Sequence, residues 1–265
     1  MNRRVSKILE NISVKIGDEI LLESFKNPEK ETIVNRKSRV DYAAQTDLLA
    51  DRAIIDELRQ NKKDFPYVII SEERKKPIIF GDKGILYIDP REGTTNSVFG
   101  RPYFGVTMSL FEIGIPTFFI FYSPCFKEIY KATKKEGAKL NDEKIRIQEP
   151  DLNDLHIIYN CWEEQKKAVR RNPVWHTKLL EMTGRTPISH YSDSYDLVSM
   201  ACGLFSGVVF NYEEIQPRDA AAALFVEEAG GYTSNIYSEP WYTFRNGLVA
   251  TSSRRLQKKL LRLLR

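Results

Sequence analysis

The chain has 265 residues, enough to bury a full core as one large domain or two modest ones. Its 42% hydrophobic content is ordinary for a globular protein and excludes wholesale disorder. A net charge of +4 is too small to argue for nucleic acid, which is not expected as a partner.

Cys125, Cys161 and Cys202 lie far apart without CxxC spacing, the pattern of reduced core thiols in a cytoplasmic protein. His156, His176 and His190 form no HxxxH or HExxH pair, so any bound metal must be held by oxygen.

In chain order, Val5, Ile8, Leu9, Ile12, Ile16 and Ile20 recur at three- and four-residue steps and predict an amphipathic helix, not a signal peptide. Residues 25–45 are polar and mixed. LLADRAIIDELRQ then predicts a helix with Thr46 or Asp47 as its N-cap. YVIISEE, ILYIDP, VTMSLFE and TFFIFYSP read as strands of one sheet, the last two joined by a turn at Gly114-Ile115-Pro116. TFFIFYSP is far shorter than the ~20 residues of a membrane span. A soluble cytoplasmic protein with no membrane partner is expected.

QEPDLND at 148–154 reads as a connector. Strand and helix alternate beyond it: HIIYN, a polar helical stretch, PISHY, a helix through DLVSMACG, GVVFN, then an alanine-rich helix DAAAALFVEEAGG. The fold class is α/β, an α+β first half followed by a β/α second half. The expected division is 1–147, carrying Glu72 and the DPREGT loop, and 148–265, carrying Asp219. The closing RRLQKKLLRLLR is an amphipathic basic helix with Leu256, Leu260, Leu261 and Leu264 on one face. It reads as packing on the body rather than as nucleic-acid or membrane attachment.

The chemistry lies in carboxylates. In ILYIDPREGTTN an apolar run ends in Asp89, Pro90 forces a non-helical exit, and Glu92-Gly93-Thr94 follows. Asp89 and Glu92 can share one cation, while Gly93 lets backbone N–H groups approach an anion and Thr94 adds a hydroxyl. IISEE ends in Glu72 and Glu73, either of which comes level with Asp89 if the two strands are neighbours. Such a cluster is costly unless a cation neutralises it. Asp219, at a helix start, is either an ordinary N-terminal carboxylate or one delivered to the same site. Asp47 is likewise either a cap or an acidic partner for water.

Together these pieces resemble the inositol monophosphatase family, including archaeal-type members that also act on fructose 1,6-bisphosphate. Ser71-Glu72-Glu73 is similar to the family's GEE, and Asp89-Pro90-Arg91-Glu92-Gly93-Thr94 to its DPxDGT. Thr95-Asn96, Gly100, Pro102, Phe104 and Val106 follow its next residues. Gly137-Ala138 and Asn141 fall in register with a later segment, and DLVSMACGLFSG and DAAAALFVEEAGG with its C-terminal signatures.

The resemblance implies a layered αβαβα sandwich and a phosphatase of small phosphorylated substrates, inositol 1-phosphate or fructose 1,6-bisphosphate. A 3′-phosphoadenosine 5′-phosphate phosphatase and a non-catalytic regulatory member are the alternatives. It also implies Mg²⁺, two or three ions, held by Glu72, Asp89, the Arg91 carbonyl, Glu92 and Asp219. Asp47, Glu72 and Thr94 would be catalytic, and Gly93 and Thr94 would bind the phosphate. A homodimer is expected. Three positions depart from the family pattern. Glu92 replaces an aspartate, Arg218 stands where a tryptophan is common, and Tyr212 aligns with an acidic residue that many inositol-specific members use for substrate, for which Glu213 or Glu214 substitutes only by a register shift.

Overall fold

Burial of Val5, Leu9, Ile12 and Ile16 along one stripe closes helix α1 (Arg3–Ile16), which a π-helical turn (Gly17–Leu21) and α2 (Leu22–Lys26) continue. The computed structural model describes residues 3–30, 33–36, 42–161 and 166–265. Parts of the polar stretch at 25–45 and of the polar run after Asn160 lie outside the described residues.

Strands β1 (Ile33–Arg36) and β2 (Tyr42–Ala44) form a short antiparallel pair ahead of α3 (Gln45–Gln60). The N-cap of α3 is Ala44, not Thr46 or Asp47. Asp47 sits three residues in, and its carboxylate reaches back to accept the Ala44 N–H at 2.6 Å, which satisfies an otherwise orphaned donor.

The large sheet comprises β3 (Val68–Ser71), β4 (Ile78–Ile79), β5 (Ile85–Glu92), β6 (Gly105–Glu112), β7 (Ile115–Ser123), β8 (Glu128–Thr133), β9 (Gly137–Leu140) and β10 (Glu143–Ile145), in the order β10-β9-β8-β7-β6-β5-β3-β4. The β6–β7 hairpin turns on Ile113 and Gly114, both at positive φ, with Glu112 already opposite Ile115. The turn therefore lies one residue earlier than Gly114-Ile115-Pro116, because two left-handed residues match the twist of the flanking strands. Helix α4 (Thr94–Val98) separates β5 from β6.

The second sheet runs β11 (Ile157–Asn160), β12 (Gly207–Phe210), β14 (Leu248–Thr251), β13 (Tyr232–Ser234). Its helices are α5 (Lys166–Thr183), α6 (Asp193–Ala201), α7 (Pro217–Ala220), α8 (Ala223–Glu228) and α9 (Arg254–Leu264). The alanine-rich stretch expected as one helix is two. Leu224 and Phe225 donate to the carbonyls of Ala221 and Ala222, three residues back, and this tightened turn breaks the helix after Ala220.

Three cores define the layers. Leu9, Ile12, Ile54 and Leu58 of α1 and α3 cover Leu86, Ile88, Val106 and Ile120 on one face of the large sheet. Its other face gives Phe119, Phe121 and Tyr130 to a middle core with Leu197, Val198, Leu224, Phe225, Val208 and Phe210. Trp175, Leu179, Leu256, Leu260 and Leu264 of α5 and α9 close the far side of the small sheet over Val209 and Val249. The result is a layered αβαβα sandwich. Among the described residues no helix is long and apolar enough to cross a membrane.

The expected boundary at 147/148 falls in the connector between the sheets, while the middle core draws on both sides of it. We propose that 1–147 and 148–265 are halves of one folding unit. Phe225, fully buried and edge-on to Tyr130 at 5.8 Å between ring centroids, tests this. Phe225→Ala should cost about 3–5 kcal/mol, read as one urea transition by both tryptophan fluorescence and far-UV circular dichroism. Two separated transitions would contradict the single unit.

Candidate active site

The register of the sheet delivers the first carboxylates. β3 runs parallel to β5 with Ser71 opposite Ile88, and the Glu72 N–H donates to the Ile88 carbonyl at 3.0 Å, so Glu72 comes level with Asp89. Past Asp89 the ladder with β6 slips: Asp89 pairs Thr107 and the next pair is Glu92 with Gly105. This bulge takes up Pro90, which has no N–H to give, and frees the Arg91 carbonyl to accept the Thr94 hydroxyl at 2.9 Å. Gly93 sits at φ +80°, and a Cβ there would come within 2.5 Å of the Tyr103 carbonyl oxygen. Only glycine fits this turn. From the second half, α7 starts at Pro217 with Gln216 as its N-cap, which places Asp219 in its first turn.

One cleft of about 270 Å³ is lined by Glu72, Asp89, Arg91, Glu92, Gly93 and Thr94 from the first half and by Ser192, Asp193, Tyr212, Glu214, Arg218 and Asp219 from the second. Asp47 lies behind this wall, buried, with Oδ1 at 3.5 Å from the Thr94 hydroxyl. Glu214 lines the cleft and Glu213 does not.

Three features of the site were invisible or half-visible in the sequence. The Arg91 side chain is buried and its Nε donates to Asp47 Oδ1 at 2.5 Å, with Nη1 donating to Ser97 Oγ at 3.2 Å. Sequence reasoning had used only its carbonyl. Glu92 accepts from the Ser194 N–H at 2.5 Å and the Ser192 hydroxyl at 3.1 Å on one oxygen, and from the Thr107 hydroxyl at 2.8 Å on the other. Asp193 accepts from Asn160 at 3.0 Å and from the Tyr212 hydroxyl at 2.9 Å. Tyr212 thus presents its hydroxyl to Asp193. Arginines inside acidic motifs, at Arg91 and Arg218, were the one available signal of these pairings.

Arg218 stands among the acids. Its Nε lies 3.4 Å from Glu72 Oε2 and 3.3 Å from Asp219 Oδ1. Burial opposes its charge, but Asp219, Glu72, Asp89 and Glu92 outweigh that and raise its pKa. Burial, then Glu72 and Glu92, push the Asp89 carboxyl well above the ordinary range. Burial raises Glu92 as well, against its hydrogen bonds from Ser194, Thr107 and Ser192. Burial also raises Asp47, against Arg91.

The donor chemistry fits a hard, oxygen-seeking cation such as Mg²⁺ at Glu72, Asp89 and the Arg91 carbonyl, with Asp219 facing the same space. It fits a second such cation less well, because Glu92 has turned toward Ser192, Ser194 and Thr107. Among the described residues no three acidic, histidine or cysteine side chains stand at metal-holding geometry, and Arg218 lies between Glu72 and Asp219 where such a group would close.

A sequence model of the inositol monophosphatase family matches residues 1–265. This chain belongs to the inositol monophosphatase family. It is 32% identical over 206 residues to the Nus factor SuhB of Xylella fastidiosa, covering 77% of this chain and 72% of that one. It is 29% identical over 209 residues to the inositol-1-monophosphatase of Rhizobium meliloti, covering 76% and 75%. Among solved structures, the extragenic suppressor protein suhB of Bartonella henselae superposes with a TM-score of 0.88 at 22% identity, over 99% of this chain and 98% of that one. An inositol monophosphatase–fructose 1,6-bisphosphatase superposes at 0.79 and 22% identity over 97% and 98%, a likeness of fold alone. The family is shown by sequence; the archaeal-type subgroup expected from the motifs is met only as a likeness of fold, which the SuhB structure shares.

Asp193 gives the site a pH signature. Burial, then Asp219, Glu92 and Asp196, raise its carboxyl well above the ordinary range. A raised carboxyl contributes stability that is whole below the unfolded value near ~4 and is lost as pH rises through the folded value. In EDTA, Tm should therefore fall as pH climbs above about 4, and Asp193→Asn should lessen that slope in a thermal-melt series. Gly93→Ala should destabilise the chain by at least about 1–3 kcal/mol in the same assay, through strain at positive φ.

Proposed function

We propose that this chain is a Mg²⁺-dependent phosphomonoesterase acting on small sugar or cyclitol phosphates such as inositol 1-phosphate or fructose 1,6-bisphosphate. The observation that carries it is the meeting of Glu72, Asp89 and Asp219, from three separate segments, on one cleft beside the Gly93-Thr94 turn. Family membership supports it, since the family is one of metal-dependent sugar phosphatases.

Glu72, Asp89, the Arg91 carbonyl and Asp219 are the residues that would hold Mg²⁺. A bound divalent cation lowers the pKa of its water and offsets the charge of the phosphate. The chain's own residues do the positioning. Asp47, held by Arg91 and the Ala44 N–H, and Thr94, anchored on the Arg91 carbonyl, orient the attacking water. Burial raises the Asp47 carboxyl above its ordinary value, the direction that makes it a better proton acceptor. Gly93 opens the backbone at the cleft to the phosphate oxygens. Tyr212 and Asp193 offer hydroxyl and carboxyl groups to the sugar or cyclitol side. A soluble homodimer with no nucleic-acid or membrane partner completes this reading.

A second reading has its own observation: Arg218 among the carboxylates, with Glu92 drawn off, suits a non-catalytic regulatory member of the fold. Similarity to the Nus factor SuhB is consistent with it.

Phosphate release from inositol 1-phosphate, fructose 1,6-bisphosphate and 3′-phosphoadenosine 5′-phosphate, each with and without Mg²⁺, separates the two. Turnover of at least one substrate should require Mg²⁺ and fall by more than about a hundredfold in Asp89→Asn, with an unchanged circular dichroism spectrum. No release from any of the three substrates supports the regulatory reading.

A further inference from the structure

Two departures from the family's motifs, Glu92 and Arg218, line the same cleft, and their geometries are complementary. Glu92 is one methylene longer than the aspartate of the pattern. That reach carries its carboxylate to the N-terminal turn of α6, where Ser194 N–H and Ser192 Oγ fill one oxygen, and to Thr107 Oγ on the other. A carboxylate satisfied by three donors has little left to offer a cation across the cleft.

Arg218 supplies the positive charge on the other side. Its Nε lies within ion-pair distance of both Glu72 and Asp219. Yet among the described residues that Nε is buried without an aligned hydrogen bond. A guanidinium in a pocket built for it makes a parallel, two-pronged fork with a carboxylate. At Nε it is held by charge, between Glu72 and Asp219, and not by an aligned hydrogen bond.

We propose that Arg218 substitutes for one of the divalent cations of this site. The inference rests on the reading that Glu72, Asp89 and Asp219 hold Mg²⁺. It adds that this chain needs fewer such ions than its acids would suggest, because a covalently attached cation already neutralises part of the cluster. Glu92 is the other half of the exchange: a ligand withdrawn where a cation has been replaced. The substitution is incomplete in charge, one unit for two. Glu72, Asp89 and Asp219 therefore still attract a divalent ion, and a fixed positive charge weakens its binding.

Mg²⁺ titration by calorimetry, paired with thermal melts in EDTA and in Mg²⁺, tests this on the full chain without reference to turnover. Arg218→Met keeps the bulk and removes the charge. It should bind Mg²⁺ at least about tenfold more tightly than the parent, a difference of about 1.4 kcal/mol, and should melt lower in EDTA with a larger Mg²⁺-induced rise in Tm. Arg218→Lys should follow the parent, which a purely steric role would not produce. Glu92→Asp, with the shorter side chain, should also tighten Mg²⁺ binding and covers the case of an Arg218→Met protein that does not fold. Equal Mg²⁺ affinity in the parent and both uncoupling variants, or no uptake by any of them, overturns the proposal. Failure of the phosphatase reading shows differently: no phosphate release by the parent, with the order of Mg²⁺ affinities intact.

Discussion

Carboxyl groups brought together around one cleft repel each other, and the site is organised by how that repulsion is removed. At an effective dielectric near 20, two like charges about 4 Å apart cost roughly 4 kcal/mol, a large fraction of the stability of a domain. The chain uses three devices. Asp89 and Asp193 are pushed toward the protonated form by burial and their neighbours. Glu92 is surrounded by hydrogen-bond donors. Asp47, Glu72 and Asp219 are matched to arginines. No single device suffices, since protonating every acid would leave the cleft without negative charge and pairing every acid would close it.

The fold makes this possible because the acids arrive on different elements. Parallel β3 and β5 set Glu72 beside Asp89 through register alone. The bulge after Asp89 re-aims the chain so that Glu92 faces α6, and the break between α7 and α8 leaves Asp219 on a one-turn helix at the cleft. Asn96 ties the loop to the second half by donating to the His190 carbonyl at 2.7 Å. The middle core holds both sheets in place, so packing fixes the separation that the electrostatics require.

Much of this was legible in the sequence, for identifiable reasons. The layered α/β class and the strands carrying Glu72 and Asp89 follow from short apolar runs ending in acids. The stripe Leu256, Leu260, Leu261 and Leu264 announced a closing helix because its apolar period is strict, and all four leucines are buried. Capping and turn details were misplaced by a residue or more. At Asp47 a side chain reached back three residues, and at Ile113 a left-handed β-branched residue took a turn position that sequence preference assigns elsewhere. The alanine-rich stretch hid its break because alanine tolerates both the α-helical and the tighter turn. Which way Glu92 points was not legible at all. The answer depends on Ser192 and Ser194, a hundred residues away, and on the sheet partner Thr107.

The two arginines show why position, not residue type, decides what a cation does. Arg91 is sealed in the interior and directed by Asp47 and Ser97, so its charge is committed and its removal would leave a buried acid exposed to no partner of that strength. Arg218 is set between two acids and, among the described residues, its Nε has ion-pair partners but no aligned hydrogen bond. The site therefore contains one arginine committed to Asp47 and one that balances the charge of Glu72 and Asp219. If Arg218 stands in for a cation as proposed, that difference, more than the number of acids, sets how strongly this chain draws a divalent ion.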